Sequence, residues 1–260
     1  MLEARGVTVR YGTATAVHLV SVEAQRGELI GLIGPNGAGK TSLIKAMARL
    51  VDYEGRVELG GQSLEAMSRR TISSQLAYLP QGHVSHWPMT VRDVVALGRL
   101  PHRSGLQRLK GSDVERIEHA MVRVGVVDFA GRNILSLSEG ERARVMVARA
   151  LAVDAPVLLA DEPTAALDPY HQLRIMELLR SYAEEGAAVI AVLHELTLAG
   201  RFCHRMLLLD KGIKVAEGPP ADVLSDEHLE ETYHIKVVRG RAHGEPYSLP
   251  WSTTPSAKTK

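Results

Sequence analysis

The stretch GPNGAGKTS, Gly34 to Ser42, leaves a chain few ways to fold around it. Ahead of it runs the apolar segment Leu29-Ile30-Gly31-Leu32-Ile33, and behind it come Leu43, Ile44, Met47, Leu50 and Val51 at helical spacing. The order is strand, glycine loop, helix. Glycine lets the backbone of Gly34, Pro35, Asn36, Gly37, Ala38 and Gly39 wrap tightly with its N–H groups inward. The following helix adds its unpaired N–H groups and the positive end of its dipole. Such a concavity binds anions. Lys40 reaches β- and γ-phosphate oxygens, the Thr41 hydroxyl is suited to ligate Mg²⁺, and Ser42 closes the loop. A nucleoside triphosphate site accounts for this spacing better than an incidental glycine turn does.

At 260 residues the chain can bury a substantial core as one domain with a lobe or extension. Lys plus Arg number 31 against 30 for Asp plus Glu, so no strong field attracts nucleic acid or an acidic membrane face. The single cysteine, Cys203, has no internal partner, which points to a reducing compartment. Neither a signal-peptide pattern nor an apolar run of bilayer length occurs. A soluble, cytoplasmic protein is expected, with any membrane association made through a partner.

In chain order, Leu2 to Tyr11 and Val17 to Ala24 read as strands, and Gly55 to Ser63 as a hairpin piece about Gly60-Gly61, giving a small antiparallel layer beside the loop. Tyr11 ends the first strand. Its ring can stack on an adenine base, or equally serve as packing. Leu76 to Leu79 is a further short strand closed by Pro80-Gln81. From Gly82 to about Ala152 the pattern is helical, with caps at Thr90 and Asp93 and at Ser138 and Glu141, and a buried stripe of Ala143, Val147, Ala150 and Leu151. This predicts a helical lobe over residues 82–152 inserted into a core formed by 1–81 and 153–239. Val157 to Ala160 and Ala187 to Leu193 are continuous apolar runs suited to a parallel sheet covered on both faces. Tyr170 to Glu184 forms the crossover helix between them. Met206 to Leu209 and Ile213 to Ala216 complete a hairpin about Asp210-Lys211-Gly212. Residues 240–260, rich in Pro, Ser, Thr and Lys, read as a mobile tail.

Hydrolysis of a phosphoanhydride needs charge neutralisation, a metal and a group that orients water. Both apolar runs end in polar residues where open α/β sheets bind ligands, Asp161-Glu162 on one and His194 on the other. Asp161 is suited to holding Mg²⁺, Glu162 to polarising the attacking water, and His194 to contacting the γ-phosphate. Read singly, the carboxylates could start a solvated turn at Pro163, and the histidine could be an ordinary loop residue.

Gln81, Leu137-Ser138-Glu139-Gly140-Glu141, the strand ending in Asp161-Glu162, the turn Ala165-Ala166-Leu167-Asp168 and His194 occur in the order and spacing of an ABC transporter ATP-binding subunit. The resemblance covers roughly Leu2 to Ala221. It implies an α/β fold: a P-loop NTPase (RecA-like) core with an antiparallel β layer and an inserted α-helical subdomain. In that family the signature segment usually reads LSGGQ; here Glu139 replaces the first glycine and Glu141 the glutamine, while Ser138 and Gly140 are kept. By the same resemblance ATP and Mg²⁺ are the cofactors, Gln81 ligates Mg²⁺, and Asp168 lines a dimer interface. Each ATP is held between the loop of one copy and Ser138 and Gly140 of the other in a homodimer. The helical lobe receives transmembrane permease subunits at the cytoplasmic face of the cell membrane. Tyr78-Leu79-Pro80-Gln81, the run Met89 to Arg99, and Pro101-His102 further resemble the ATPases of importers for iron-siderophore, haem or vitamin B12 chelates, which work with a periplasmic or surface substrate-binding protein.

Two other readings fare worse. Ribosome- or DNA-acting relatives carry a second cassette or a long coiled coil, and neither is present. A GTPase has a loose match in Asp128-Phe129-Ala130-Gly131 but lacks a guanine-reading segment, since neither Asn36 nor Asn133 is followed by Lys. His83 and His86, spaced HxxH, read as polar loop residues and not as a metal site, for want of convergent ligands.

Overall fold

A computed structural model describes residues 1–82, 88–103 and 109–254. The chain opens with β1 (Leu2–Tyr11), β2 (Ala14–Ala24) and β3 (Glu28–Ile33), then α1 (Lys40–Met47), β4 (Glu54–Leu59), β5 (Gln62–Ser63), α2 (Arg69–Gln75) and β6 (Leu76–Leu79). A helical lobe follows, with α3 (Val91–Ala96), α4 (Gly111–Arg123) and α5 (Glu139–Leu151). The core resumes with β7 (Val157–Asp161), α6 (Pro169–Glu184), β8 (Ala188–Val192), α7 (Leu196–Phe202), β9 (Arg205–Asp210) and β10 (Ile213–Gly218). The chain ends in α8 (Pro220–Val223), α9 (Asp226–Tyr233), β11 (Ile235–Ala242) and β12 (Glu245–Thr253). Among the described residues no helix is long and apolar enough to cross a membrane.

The central sheet runs β10-β9-β3-β8-β7-β6, parallel except for the β9–β10 hairpin. A second sheet, β2-β1-β4-β5, is antiparallel. Strand alternation divides the apolar side chains between two cores. Leu29 and Ile33 of β3, Leu158 and Ala160 of β7, and Val189 and Ala191 of β8 face the core shared with α5 and α6. Ile30 and Leu32, Val157 and Leu159, and Ala188 and Ile190 face the core shared with α1 and the antiparallel sheet. Every residue of β7 and β8 is buried, as expected for parallel strands covered on both faces. Within these two strands the one polar residue is Asp161, at the carboxyl end of β7.

The helical lobe is tied to itself by a buried ion pair. Arg99 donates through Nε to Asp113 Oδ1 at 2.9 Å and through Nη1 to the carbonyls of Ala152 and Val153 at 2.9 and 3.0 Å, just past the end of α5. Asp113 also accepts the Lys110 N–H at 3.1 Å. Burial pushes the Asp113 carboxyl upward, but the hydrogen bonds from Arg99 and Lys110 and the nearby positive charge outweigh it and hold the group below its ordinary value. Removing one partner of such a pair strands a buried charge, so Arg99→Met is expected to cost about 3–5 kcal/mol and lower Tm by roughly 10 °C. A depressed carboxylate pKa contributes stability above its unfolded value and loses it as pH falls through the folded one. Thermal melts should therefore show an acid limb below about pH 4 that flattens in Asp113→Asn.

Beyond Gly240, where the sequence reads as a mobile tail, the described residues continue in a strand pair. β11 and β12 form an antiparallel hairpin in which Gly240 faces Tyr247 and Thr197 Oγ1 of α7 donates to the Ser248 carbonyl at 2.7 Å. Gly240 makes this possible by lacking a side chain, since a Cβ there would lie 2.3 Å from the Tyr247 hydroxyl. The turn is His243-Gly244, both at positive φ, which matches the twist of a two-residue hairpin loop. Residues 255–260 and the His83 and His86 pair lie outside the described residues.

Candidate nucleotide site

The loop after β3 closes because Gly39, at φ 95°, turns where a side chain has no room: a Cβ there would sit 2.2 Å from the Ala16 carbonyl of β2. The β9–β10 turn braces it from behind, with the Gly212 N–H donating to the Ala38 carbonyl at 3.1 Å. Helix α1 then starts at Lys40 with no side-chain cap, which leaves its first N–H groups directed at the loop. Lys40 is buried and donates to the carbonyls of Gly34 at 2.7 Å and Pro35 at 2.9 Å. Burial lowers the ammonium pKa from its ordinary value, opposed by the charges of Glu162 and Asp161.

The two strand tips meet this loop. Asp161 ends β7, fully buried, and its Oδ1 accepts the Thr41 hydroxyl at 3.1 Å while Oδ2 faces the Tyr78 hydroxyl at 3.5 Å. Burial raises the Asp161 carboxyl pKa, and the adjacent Glu162 adds to the rise; the Thr41 hydroxyl, Lys45 and the Tyr78 hydroxyl oppose it. A buried carboxylate with raised proton affinity gains most from a cation. Glu162 leaves the strand at φ 55°, a conformation non-glycine residues seldom adopt and one that concentrates at functional sites. Its Oε1 lies 2.7 Å from Nε2 of His194. His194 stands two residues beyond β8, held level with the loop strand because the Leu193 N–H donates to the Leu32 carbonyl at 3.1 Å.

Tyr11, Asn36, Gly37, Ala38, Gly39, Lys40, Thr41, Ser42, Gln81, Glu162 and His194 line a single cavity of about 440 Å³. Gly34 and Pro35 stand behind it as acceptors for Lys40, and Asp161 lies beneath it through Thr41. Tyr11 forms the rim, half exposed. Three residues singled out in the sequence are not brought there. Ser138 caps α5, accepting the Glu141 N–H at 3.2 Å, while Glu141 Oε2 accepts the Ser138 N–H at 2.7 Å. Gly140 packs against Ala166 and Leu167. Asp168 caps α6 by accepting the His171 N–H at 2.9 Å.

The oxygen donors suit a hard divalent ion. Among the described residues no three His, Cys, Asp or Glu side chains converge on a metal. Asp161, the Thr41 hydroxyl and the Gln81 amide instead offer part of a shell, which fits Mg²⁺, an ion that keeps waters and takes the rest of its ligands from phosphate. Sequence reasoning gave Tyr78, Ala16 and Gly212 no role at this site. Tyr78 stands three residues before Gln81 on the tip of β6, where its period-2 position was legible but its neighbour was not.

Residues 17–165 match the family model described as ABC transporter. The chain is 39% identical over 263 residues to the hemin import ATP-binding protein HmuV of Mesorhizobium japonicum, covering 97% of this chain and 99% of that protein. It is 36% identical over 254 residues to the iron(3+)-hydroxamate import ATP-binding protein FhuC of Bacillus subtilis, covering 96% and 94%. Among solved structures, a dimeric ATP-binding cassette in a post-hydrolysis state with ADP and Pi matches with a TM-score of 0.74 at 26% identity, over 85% of this chain and 99% of that one.

Proposed function

We propose, for a chain that belongs to the ABC transporter ATP-binding family, that it energises uptake of an iron-siderophore, haem or cobalamin-type chelate. It is an ATPase. The observation that carries its chemistry is the Glu162–His194 pair, 2.7 Å apart, at the same cavity as the glycine loop. In this reading the N–H groups of Gly37 to Ser42 and the amino end of α1 take the β- and γ-phosphates, and Lys40 turns from two carbonyls to the same oxygens. Thr41, Asp161 and Gln81 hold Mg²⁺, which supplies neutralisation of the charge on the phosphate oxygens. Glu162 orients a water and accepts its proton as the water oxygen bonds to the γ-phosphorus. The bond to the bridging oxygen breaks, and ADP leaves with the electron pair. His194 Nε2 keeps the Glu162 carboxylate turned toward that water.

Ser138 and Gly140 serve a second copy. The amino end of α5 serves as a second anion site, with Ser138 an exposed residue at it. A two-fold arrangement brings it to the γ-phosphate held by the partner's loop, with Asp168 between the two copies. The glutamate at 141 is compatible with this. Glu141 is engaged in the α5 capping box, and chiefly the Ser138 N–H holds its carboxyl below the ordinary value. The relatives import hemin and iron(3+)-hydroxamate. This supports a chelate as cargo, permease subunits as partners for the helical lobe, a periplasmic or surface binding protein to deliver the cargo, and a peripheral location at the cytoplasmic face of the membrane.

Purification from native membranes tests the assignment. The chain should co-elute with a polytopic permease, and cells lacking it should lose uptake of at least one labelled chelate among siderophore-iron, haem and cobalamin. Recovery solely with ribosomes, or undiminished uptake of all three, would contradict it.

A further inference from the structure

The two oxygens of Asp161 face different elements. Oδ1 takes the Thr41 hydroxyl of α1 at 3.1 Å, and Oδ2 faces the Tyr78 hydroxyl of β6 at 3.5 Å. β6 is the strand beside β7, with Tyr78 opposite Leu159, so the phenol crosses from the neighbouring strand onto the carboxylate. The body of Tyr78 lines a separate groove of about 610 Å³, with Leu50, Leu97 and Pro101. Among the described residues Asp161 is the hydrogen-bond partner its hydroxyl has. A phenol is a donor at neutral pH. At 3.5 Å the contact is long for O–H···O, so it acts by favouring one rotation of the carboxylate more than by a tight bond.

We propose that Tyr78 is a positioning residue for the metal-holding carboxylate. By engaging Oδ2 it leaves Asp161 turned so that Oδ1 and the Thr41 hydroxyl present one edge of hard oxygens toward the nucleotide cavity. Partners of this kind, which touch a ligand and not the metal, tune metal affinity by fixing ligand orientation. The inference rests on the reading of Asp161 and Thr41 as the Mg²⁺-holding pair.

The test is Tyr78→Phe, which keeps the ring in the groove and removes only the hydroxyl. Binding of a fluorescent ATP analogue is measured with and without Mg²⁺, on the purified full chain carrying Glu162→Gln so that nothing turns over. Affinity without Mg²⁺ should be unchanged, while the Mg²⁺ concentration that half-completes the tightening of binding should rise about fivefold, below the usual range for a stronger supporting contact. On the parent background, kcat at saturating Mg²⁺ should recover most of its value, separating an affinity defect from a chemical one. Tyr78→Met, which preserves an apolar wall, should give the same shift, and it decides the matter if the Phe variant melts early. A midpoint within twofold of the parent in both variants overturns the proposal and leaves the ATPase reading intact. Binding indifferent to Mg²⁺ in the parent itself would overturn the metal assignment on which the proposal stands.

Discussion

Glu162→Gln is expected to lower ATP turnover by roughly 10²–10⁴-fold, the range for removal of a general base, while ATP binding is kept. The amide is isosteric, retains one acceptor for His194, and cannot take a proton from water. The hydrogen bonds of Lys40 and of the Thr41–Asp161 pair do not involve Glu162, and the negative charge removed does not favour a polyphosphate, so equilibrium binding of a fluorescent ATP analogue should weaken by no more than about twofold from the parent, below 0.5 kcal/mol. Because the Glu162 backbone already sits at φ 55°, a substitution that keeps the side-chain length adds no new backbone demand. Single-turnover assays measure the outcome. Turnover within a few-fold of the parent would remove Glu162 from the chemistry and return the strand tip to a structural role.

Ser138→Arg is expected to abolish steady-state ATPase activity while leaving nucleotide binding to the separate chain intact. The reason is positional. Ser138 belongs to the amino end of α5 and does not line the cavity formed by its own loop, so an arginine there is expected to spare the nucleotide its own chain holds. It would instead intrude on the phosphate held by another copy and remove the hydroxyl offered to it. Loss of the cap costs about 1 kcal/mol, a Tm fall of a few degrees in a chain of this size. A melting shift of that order beside complete loss of turnover separates the two effects. Retained turnover in Ser138→Arg would mean that each chain hydrolyses alone.

Much of this site was legible because its chemistry is anchored by local signals. The glycine loop is read from spacing within nine consecutive residues, Gly34 to Ser42. Asp161, Glu162 and His194 are read from polar residues ending runs too apolar to be anything but buried strands, and Ser138 from its capping box with Glu141. What escaped depends on contacts between distant segments. That Tyr78 lies on Asp161 follows from β6 pairing with β7 across an inserted lobe, and that Gly212 braces Ala38 follows from the order of strands in the sheet. The terminal hairpin escaped for a different reason. Pro246, Pro250 and Gly240 mask its period-2 pattern, and the glycine is present to admit Tyr247. Arg99 gives no sign in the sequence that its guanidinium is buried, because long basic side chains are usually solvated and only the fold supplies Asp113 and the two carbonyls past α5.

The shared site is the claim on which function depends, and light scattering on the Glu162→Gln chain with and without MgATP tests it most directly. Charge-assisted hydrogen bonds contribute on the order of 1.5–3 kcal/mol each, so two or three at each of two nucleotides suffice to close a pair. The mass is predicted to double on adding MgATP, and to stay that of a single chain when Ser138→Arg is added to Glu162→Gln. A single-chain mass for Glu162→Gln at saturating MgATP, with nucleotide demonstrably bound, would contradict the account.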